Sequence, residues 1–245
     1  MLLIKNLNAG VENKRILKDI NLEINKGEFH VLMGRNGTGK STLSNLITGK
    51  DGYIKESGKL LYKNKNLDKM TPEERSNAGI FMSFQYPVAI PGVNSMHFLR
   101  IAVNSIRKFK GNNEYDPAEF IKLFKETLTV VGLDESFTKR AVNDGFSGGE
   151  KKRFEILQML LINPSLIILD ETDSGLDIDA LKIISEGIKK FRSKNNAFLL
   201  ITHYYRILEY LEPDFVHVLL DGKIVKTGDK KLALKLEKEG YGWLE

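Results

Sequence analysis

One stretch of the sequence, GRNGTGKST at residues 34–42, constrains the fold more than any other. It fits the pattern G-x-x-x-x-G-K-[ST], in which glycines let successive backbone N–H groups turn inward around a phosphate. The apolar run FHVLM before it predicts a buried strand, and STLSNLI after it predicts a helix that begins near Lys40. A strand, a glycine loop and a helix in this order indicate a phosphate site at a helix N-terminus.

The pattern also predicts a role for the polar residues of this loop. Lys40 can reach the β- and γ-phosphates of a nucleotide, and the Ser41 hydroxyl can bind Mg²⁺. The dipole of the following helix adds a favourable potential for the anion. The predicted nucleotide-binding residues are Gly34, Arg35, Asn36, Gly37, Thr38, Gly39, Lys40, Ser41 and Thr42.

LIILDE at 166–171 places two acids at the end of a second buried strand. Open parallel sheets bind ligands at the carboxyl ends of their strands, so these acids are expected beside the nucleotide. Asp170 is then placed to hold Mg²⁺, and Glu171 to polarise an attacking water as general base. Gln85 and His203 also follow strand-like runs. Gln85 alone is better interpreted as an ordinary residue at a strand end, whereas His203 fits either a contact with the γ-phosphate or an ordinary residue at a sheet edge.

Strand and helix patterns alternate along most of the chain, which predicts an α/β fold. Asp221-Gly222 separates FVHVLL from KIVKTG and predicts a tight hairpin, hence an antiparallel edge on a mostly parallel core sheet. Residues 85–143 instead carry apolar residues at helical spacing, which predicts an inserted helical subdomain. We therefore predict one domain over 1–245, with its α/β core formed by 1–84 and 144–245.

FSGGE at 146–150 is a second candidate phosphate site. Ser147 and Glu150 have the spacing of a capping box, which by itself needs no ligand. Gly148 and Gly149 weaken a first helical turn by about 1 kcal/mol each relative to Ala, so the box does not explain them. They would let a phosphate approach bare backbone, and the following Lys-Lys-Arg would surround it with positive charge.

The loop at 34–42, Gln85, FSGGE, LIILDE, SGLD (174–177) and Thr202-His203, in this order, resemble the nucleotide-binding domain of ABC ATPases. The resemblance covers essentially the whole chain. It implies ATP and Mg²⁺ as cofactors, and a head-to-tail dimer in which a second copy completes each site. The roles it implies are Lys40, Gln85, Glu171 and His203 in catalysis; Ser41, Gln85 and Asp170 around Mg²⁺; Ser147, Gly148, Gly149 and Glu150 on the partner's ATP; and Ser174 and Asp177 in the loop that crosses the dimer.

Within that family, several longer segments resemble the ATPase subunit of the SUF system for iron–sulfur cluster assembly. These segments are FQYPVAIPGV, GFSGGEKKRFEILQM, ETDSGLDIDALK, ITHYYRIL, PDFVHVL and EGYGWL. This resemblance implies a complex with the SufB–SufD scaffold, which would dock where transporter ATPases receive a membrane domain, at YPVAIPGV (86–93). It also implies a location in a bacterial cytoplasm or a plastid stroma.

The sequence departs from the general family pattern at three positions. The position where most members stack an aromatic residue on adenine is assigned to Val11, so we expect weak recognition of the base. Phe146 and Glu150 replace the usual Leu and Gln of the signature. The charge of Glu150 near a phosphate is unfavourable unless the following Lys-Lys-Arg offsets it.

Composition excludes some functions. The chain has no cysteine, which excludes thiol chemistry and cysteine metal ligation. Its net charge of +5 comes from lysines scattered among acids, so no nucleic-acid partner is inferred. The sequence contains no apolar run long enough for a spanning helix and no visible signal peptide, so we expect no direct membrane insertion. His30, His97 and His217 are interpreted as structural.

Three alternatives remain at this point. The nearest is the ATP-binding subunit of an ABC transporter, against which the segment at 86–93 argues. A DNA-repair or cohesin-type ATPase would need a long coiled coil before the signature, and 85–143 shows no sustained heptads. A non-catalytic, nucleotide-gated adaptor would have no need of an intact Lys40, Asp170, Glu171 and His203.

Overall fold

The computed structural model describes residues 1–12 and 14–244. The β-strands in this part of the chain are β1 (Leu2–Val11), β2 (Lys14–Ile24), β3 (Phe29–Met33), β4 (Tyr53–Tyr62), β5 (Lys65–Asn66), β6 (Ile80–Ser83), β7 (Ile90–Asn94), β8 (Ala141–Val142), β9 (Leu166–Asp170), β10 (Ala197–Ile201), β11 (Phe215–Leu220) and β12 (Lys223–Gly228). The α-helices are α1 (Lys40–Thr48), α2 (Pro72–Asn77), α3 (Ser95–Phe109), α4 (Pro117–Val130), α5 (Gly148–Ile162), α6 (Ile178–Phe191) and α7 (Lys230–Glu239).

A six-stranded sheet forms the centre of the fold, in the order β12-β11-β3-β10-β9-β6. All of its pairs are parallel except β11–β12, which is antiparallel. The strands β3, β9 and β10 are buried along their whole length, as central strands of a sheet covered on both faces must be. The predicted α/β class, with its mostly parallel core and antiparallel edge, is confirmed.

The hairpin between β11 and β12 has the expected backbone. Asp221 and Gly222 both have positive φ, 46° and 79°, as a two-residue turn of the primed type requires. A side chain at Gly222 would also lie within 1.9 Å of the Ile16 carbonyl oxygen. The turn therefore packs directly on β2.

A second sheet, of order β2-β1-β4-β5, is antiparallel throughout. Together with α1 it covers one face of the central sheet, where Ile168 and Leu199 meet Leu7 and Leu43. On the other face, Ile167 and its neighbours pack against α5 and α6. Alternate residues of one strand thus enter two separate cores, because successive side chains of a β-strand point to opposite faces of the sheet.

Two long helices, α3 and α4, lie within residues 85–143. The helices α3 and α4 pack on α5, which itself packs on α6. Because α5 follows residue 143, helices on both sides of the predicted boundary at 85–143 pack together, and the boundary itself remains a prediction. Among the described helices, none has the length and apolar character needed to span a bilayer.

Candidate active site

The loop between β3 and α1 is shaped by its glycines. A Cβ at Gly34 would lie 2.3 Å from the Leu219 carbonyl oxygen, so only glycine fits. Gly37 and Gly39 have φ of 80° and 107°, conformations that other residues rarely adopt. Gly39 provides no side-chain cap, and the first turn of α1 contains no acidic residue. The positive end of the helix dipole is therefore left to an anion.

Lys40 is folded over this loop. Its Nζ donates hydrogen bonds to the carbonyl oxygens of Gly34, at 2.8 Å, and Arg35, at 3.0 Å. The side chain is buried, and burial lowers the pKa of Lys40 while Glu171 and Asp170 oppose that shift. A phosphate would offer the ammonium group a stronger acceptor than two neutral carbonyls.

Asp170 lies at the carboxyl end of β9, facing the first turn of α1. Its Oδ2 accepts a 3.0 Å hydrogen bond from Ser44, and its Oδ1 lies 3.5 Å from the Ser41 hydroxyl. Burial raises the pKa of Asp170, and the two serines oppose this. These hydroxyl and carboxylate oxygens, with the side-chain oxygen of Gln85 nearby, are hard donors that suit Mg²⁺. Ser44 was not predicted, although it is three residues beyond Ser41 on the same helix face.

Glu171 contacts two of the other predicted site residues, Gln85 and His203. Its Oε2 accepts a 2.6 Å hydrogen bond from Nε2 of Gln85, and its Oε1 lies 3.4 Å from Nδ1 of His203. Its φ of 48° is in the left-handed region that non-glycine residues rarely occupy. The Glu171 amide is held there by the Ile201 carbonyl at 2.9 Å. Strained backbone of this kind is typical of functional positions.

These residues surround one open cavity of about 320 Å³. It is lined by Ile16, Asn36, Gly37, Gly39, Lys40, Ser41, Thr42, Gln85 and Glu171. The structure therefore brings the predicted loop, Gln85 and Glu171 together around this cavity. Asp170 adjoins it through its contact with Ser41, and His203 through its contact with Glu171. The apolar lining residue is Ile16 on β2; Val11, the position expected to face adenine, does not line the cavity. The catalytic and ligand-binding roles of these residues remain predictions.

The signature segment forms the expected capping box at the start of α5. The Ser147 hydroxyl accepts from the Glu150 amide at 3.2 Å, and Oε2 of Glu150 accepts from the Ser147 amide at 2.7 Å. None of Ser147, Gly148, Gly149 and Glu150 lines the cavity beside Lys40. In this chain the two predicted phosphate-binding segments are thus separate.

Arg140 accounts for both departures in the signature. Its guanidinium lies 3.1 Å from Oε1 of Glu150 and 4.2 Å from the ring centroid of Phe146. The Phe146 ring is buried and packs edge-on against Phe137 and Phe154. The hydrogen bond from the Ser147 amide, aided by Arg140, lowers the pKa of Glu150 despite some desolvation.

The expected positive charge from Lys-Lys-Arg at 151–153 was wrong for Lys152 and remains a prediction for Lys151 and Arg153. Lys152 is buried beside Glu155, and Arg153 donates to the Gly132 carbonyl at 2.9 Å. The cation that offsets Glu150 comes instead from Arg140, outside the motif. Sequence adjacency could not reveal this, because successive helical residues point in different directions.

The SGLD segment leads into α6. The Ser174 amide donates to the Glu171 carbonyl at 3.1 Å, which closes a turn directly after the candidate base. The Asp177 carboxylate accepts from the Ala180 amide at 2.7 Å and caps α6. The following Ile178 is 66% exposed. Whether this segment crosses a dimer remains a prediction.

A phosphate loop, an acid pair at the end of β9 and a capped SGG helix on this topology define an ATP-binding cassette. The family model described as ABC transporter matches residues 17–174, so the chain belongs to the ABC ATPase family. It is 49% identical over 244 residues to the "Probable ATP-dependent transporter SufC" of Escherichia coli, covering 100% of this chain and 98% of that protein. The SUF resemblance of the sequence is thereby confirmed.

Other similar proteins agree with this assignment. The "Probable ATP-dependent transporter ycf16" of Cyanophora paradoxa is 55% identical over 241 residues, covering 98% of this chain and 93% of the relative. Among solved structures, the dimeric ATP-binding cassette MJ0796 bound to ADP and Pi has a TM-score of 0.79 at 25% identity, covering 94% of this chain and 99% of that one.

Proposed function

We propose that the chain is a Mg²⁺-dependent ATPase whose catalytic group is Glu171. The observation that carries this is the convergence of Gln85 and His203 on the Glu171 carboxylate beside the phosphate loop. Hydrolysis needs a base that is held near water and near the γ-phosphate at once. The position of Glu171 beside the phosphate loop, with two polar neighbours on its carboxylate, supports this role.

The roles in the reaction follow from the positions of the side chains. Lys40 and the loop amides bind the β- and γ-phosphates, and Glu171 takes a proton from the attacking water. Gln85 fixes one carboxylate oxygen of Glu171, and His203 lies at the other, where it can contact the γ-phosphate. Mg²⁺, held by Ser41, Gln85 and Asp170, would neutralise charge that develops on the phosphate oxygens.

We further propose that Ser147 to Glu150 bind the ATP of a second copy. A Cβ at Gly148 would meet nothing within 4 Å, and one at Gly149 would make only an ordinary contact with Ala180 at 4.0 Å. Packing within this chain therefore gives no reason for two glycines in a first helical turn. A partner's nucleotide that approaches the bare backbone would supply the reason, and the solved relative MJ0796 is dimeric.

The dimer is tested by turnover against protein concentration. Because each site needs two copies, ATP hydrolysis per chain should rise with concentration while light scattering follows the shift from monomer to dimer. A preparation verified as monomeric by light scattering that reaches full, concentration-independent turnover would contradict the proposal. The same measurement with ATP and GTP would show whether Ile16 permits weak base selection.

For the partner we propose the SufB–SufD scaffold, in a bacterial cytoplasm or a plastid stroma. The similarity to SufC supports this choice. The segment after β6 is unusually apolar for a surface: Phe84 is 49% exposed, Tyr86 81% and Val88 75%. It adjoins a cavity of about 430 Å³ lined in part by Phe81, Met82 and Phe84. Exposed apolar side chains grouped in one short segment support a docking surface for a protein partner.

The alternative is an ABC transporter subunit, which the printed names of the relatives favour. Affinity capture of the full chain from its own cells, followed by mass spectrometry, separates the two. Recovery of SufB and SufD homologues supports the scaffold, whereas recovery of a membrane permease overturns it. The ATPase proposal survives either result.

A further inference from the structure

The helix α5 carries a buried ion pair just after the signature segment. Glu155 is 3% exposed and Lys152 4% exposed, and Nζ of Lys152 lies 3.1 Å from Oε2 of Glu155. Burying two charges costs free energy that an apolar pair of similar volume would not. Stability alone therefore does not explain the pair. Its contacts with residues outside α5 indicate what else it does.

Both residues bind the main chain of Phe84. The Phe84 amide donates to Oε1 of Glu155 at 2.7 Å, and the Phe84 carbonyl accepts a hydrogen bond from Nζ of Lys152. Phe84 directly precedes Gln85, whose side chain holds Glu171. One helix thus fixes both main-chain polar groups of Phe84, and the Phe84 carbonyl belongs to the peptide unit that leads into Gln85.

Glu155 also reaches the residue after Glu171. Its Oε2 accepts a 2.8 Å hydrogen bond from the Ser83 hydroxyl, and Ser83 Oγ lies 3.2 Å from Thr172 Oγ1. The single Ser83 proton goes to the carboxylate, so the Thr172 hydroxyl donates to Ser83. Thr172 is completely buried. Two paths, through Phe84 and through Ser83, therefore connect Glu155 to Glu171.

We propose that Glu155 is a positioning residue for ATP hydrolysis, which holds Gln85 and Glu171 in register with the signature helix. The inference rests on the roles proposed above for Gln85 and Glu171. Because α5 begins at the segment that would meet a partner's nucleotide, a shift of α5 on dimer closure reaches Glu171 through these contacts. Docking of a scaffold at Phe84 and Tyr86 would act on the same contacts.

The double variant Lys152→Met/Glu155→Leu separates positioning from stability. It replaces the ion pair by apolar side chains of similar volume, so the melting temperature should be retained or raised. Both bonds to Phe84 are lost, so kcat should fall roughly 10-fold to 100-fold, as small misplacements of catalytic groups do. KM for ATP should change little, and hydrogen exchange at the Phe84 amide should quicken. Glu155→Gln, which keeps the volume but accepts fewer bonds, should give a smaller loss of kcat.

Asn104→Leu is the matched control. Asn104 also holds both main-chain groups of one residue, Tyr115, at 2.8 and 3.0 Å, on α3 and outside the cavity. That variant should melt at a lower temperature with kcat unchanged. Normal kcat in the double variant despite faster Phe84 exchange would overturn the proposal, as would an equal loss of kcat in Asn104→Leu. Glu171→Gln is assayed in parallel. Hydrolysis retained in that variant would refute the proposed catalytic role of Glu171, and not the positioning role of Glu155.

Discussion

The side-chain amide of Gln85 donates a 2.6 Å hydrogen bond to Oε2 of Glu171. The two residues are distant in sequence, and they meet because β6 and β9 are parallel neighbours whose carboxyl ends share one edge of the sheet. The bond orients the carboxylate, and the left-handed backbone of Glu171 turns it out of the strand direction. Both the position of the candidate base and the orientation of its carboxylate thus depend on the neighbouring carboxyl ends of β6 and β9.

Replacing Glu171 by Gln should abolish hydrolysis without loss of ATP binding. The amide keeps the size of the side chain and can still accept from Gln85, but it cannot take a proton from water. Phosphate release should fall roughly 100-fold or more. Light scattering should find dimers in ATP, because the closed state is no longer emptied by hydrolysis. Glu126→Gln, at an exposed position on α4, should behave like the wild type.

Lys40→Met should remove the thermal stabilisation by ATP. A ligand at 100 times its Kd stabilises the folded state by about 2.7 kcal/mol, which raises the melting temperature by several degrees. Without the ammonium group the β- and γ-phosphates lose their main cation, so the shift should nearly vanish. Scanning calorimetry with and without MgATP measures it. Lys182→Met, exposed on α6, serves as the control, and a normal shift in Lys40→Met would contradict the assignment.

Gly148→Asp should stabilise the free chain and inactivate the dimer. Gly148 is exposed in the first turn of α5, where an acid interacts favourably with the helix dipole and aspartate is a better helix former than glycine. The same carboxylate would repel a partner's phosphates. The expected result is a higher melting temperature together with loss of ATP-dependent dimerisation by light scattering.

Ala118→Asp is the matched control for that variant. Ala118 is exposed in the first turn of α4, which also begins with a capping box. The Ala118→Asp variant should gain less stability, because alanine is already a better helix former than aspartate, and it should keep dimerisation and turnover. If Gly148→Asp dimerises normally in ATP, the signature segment does not contact a partner's nucleotide.

The apolar surface after β6 gives a prediction about partners. Tyr86→Ser/Val88→Ser should reduce capture of the scaffold at least about 10-fold, since burying each apolar side chain is worth about 1.5 to 3 kcal/mol. The thermal shift with ATP should be unchanged. Ile101→Ser/Phe109→Ser, at two positions of α3 that are each 56% exposed, is the control and should leave capture intact. Equal losses in both double variants would argue against a specific docking surface.

Sequence patterns predicted the parallel core well because its strands are buried on both faces. The apolar run at 166–170 matches β9 residue for residue, and the loop glycines and the capping box rest on local geometry. The first half of β4 is largely exposed, with Ile54 55% exposed, so no buried apolar run marks this strand in the sequence. Its pairing with β1 is a contact between residues distant in sequence, which the local pattern of apolar and polar residues cannot predict.

The parts of the site that were not predicted depend on register and packing. Ile16 on β2 lines the cavity although it belongs to no predicted motif, because it reaches the loop only through the packing of β2. The assignment of Val11 to the adenine position remains a prediction. Arg140 lies outside the quoted motifs, and Glu155 lies in one of them but was given no role. The contacts of both arise only when α5 packs against neighbouring segments. The spacing of a motif is enough to locate a site that is formed by the backbone. The charged side chains that support such a site can be identified only from the tertiary structure.

The last prediction concerns acid stability and a buried histidine pair. Nδ1 of His30 lies 2.9 Å from Nε2 of His217, whose Nδ1 lies 2.9 Å from the Thr227 hydroxyl, and Nε2 of His30 lies 2.9 Å from Oε2 of Glu28. This chain is satisfied with both rings neutral: His30 donates to Glu28, His217 to His30, and Thr227 to His217. Burial, with the neighbouring His30, lowers the pKa of His217 to about 4 from the ordinary 6.5.

Because the pKa of His217 is lower in the folded state, the unfolded state binds more protons between pH 6.5 and about 4. Stability is therefore fully present above pH 6.5 and falls as the pH drops through this window, by up to about 3 kcal/mol from this group. Urea unfolding at several pH values measures the slope. His217→Gln can replace both hydrogen bonds without titrating, so its slope should be shallower. His97→Gln, at an exposed position on α3, should keep the wild-type slope, and identical slopes in all three proteins would contradict the role of the pair.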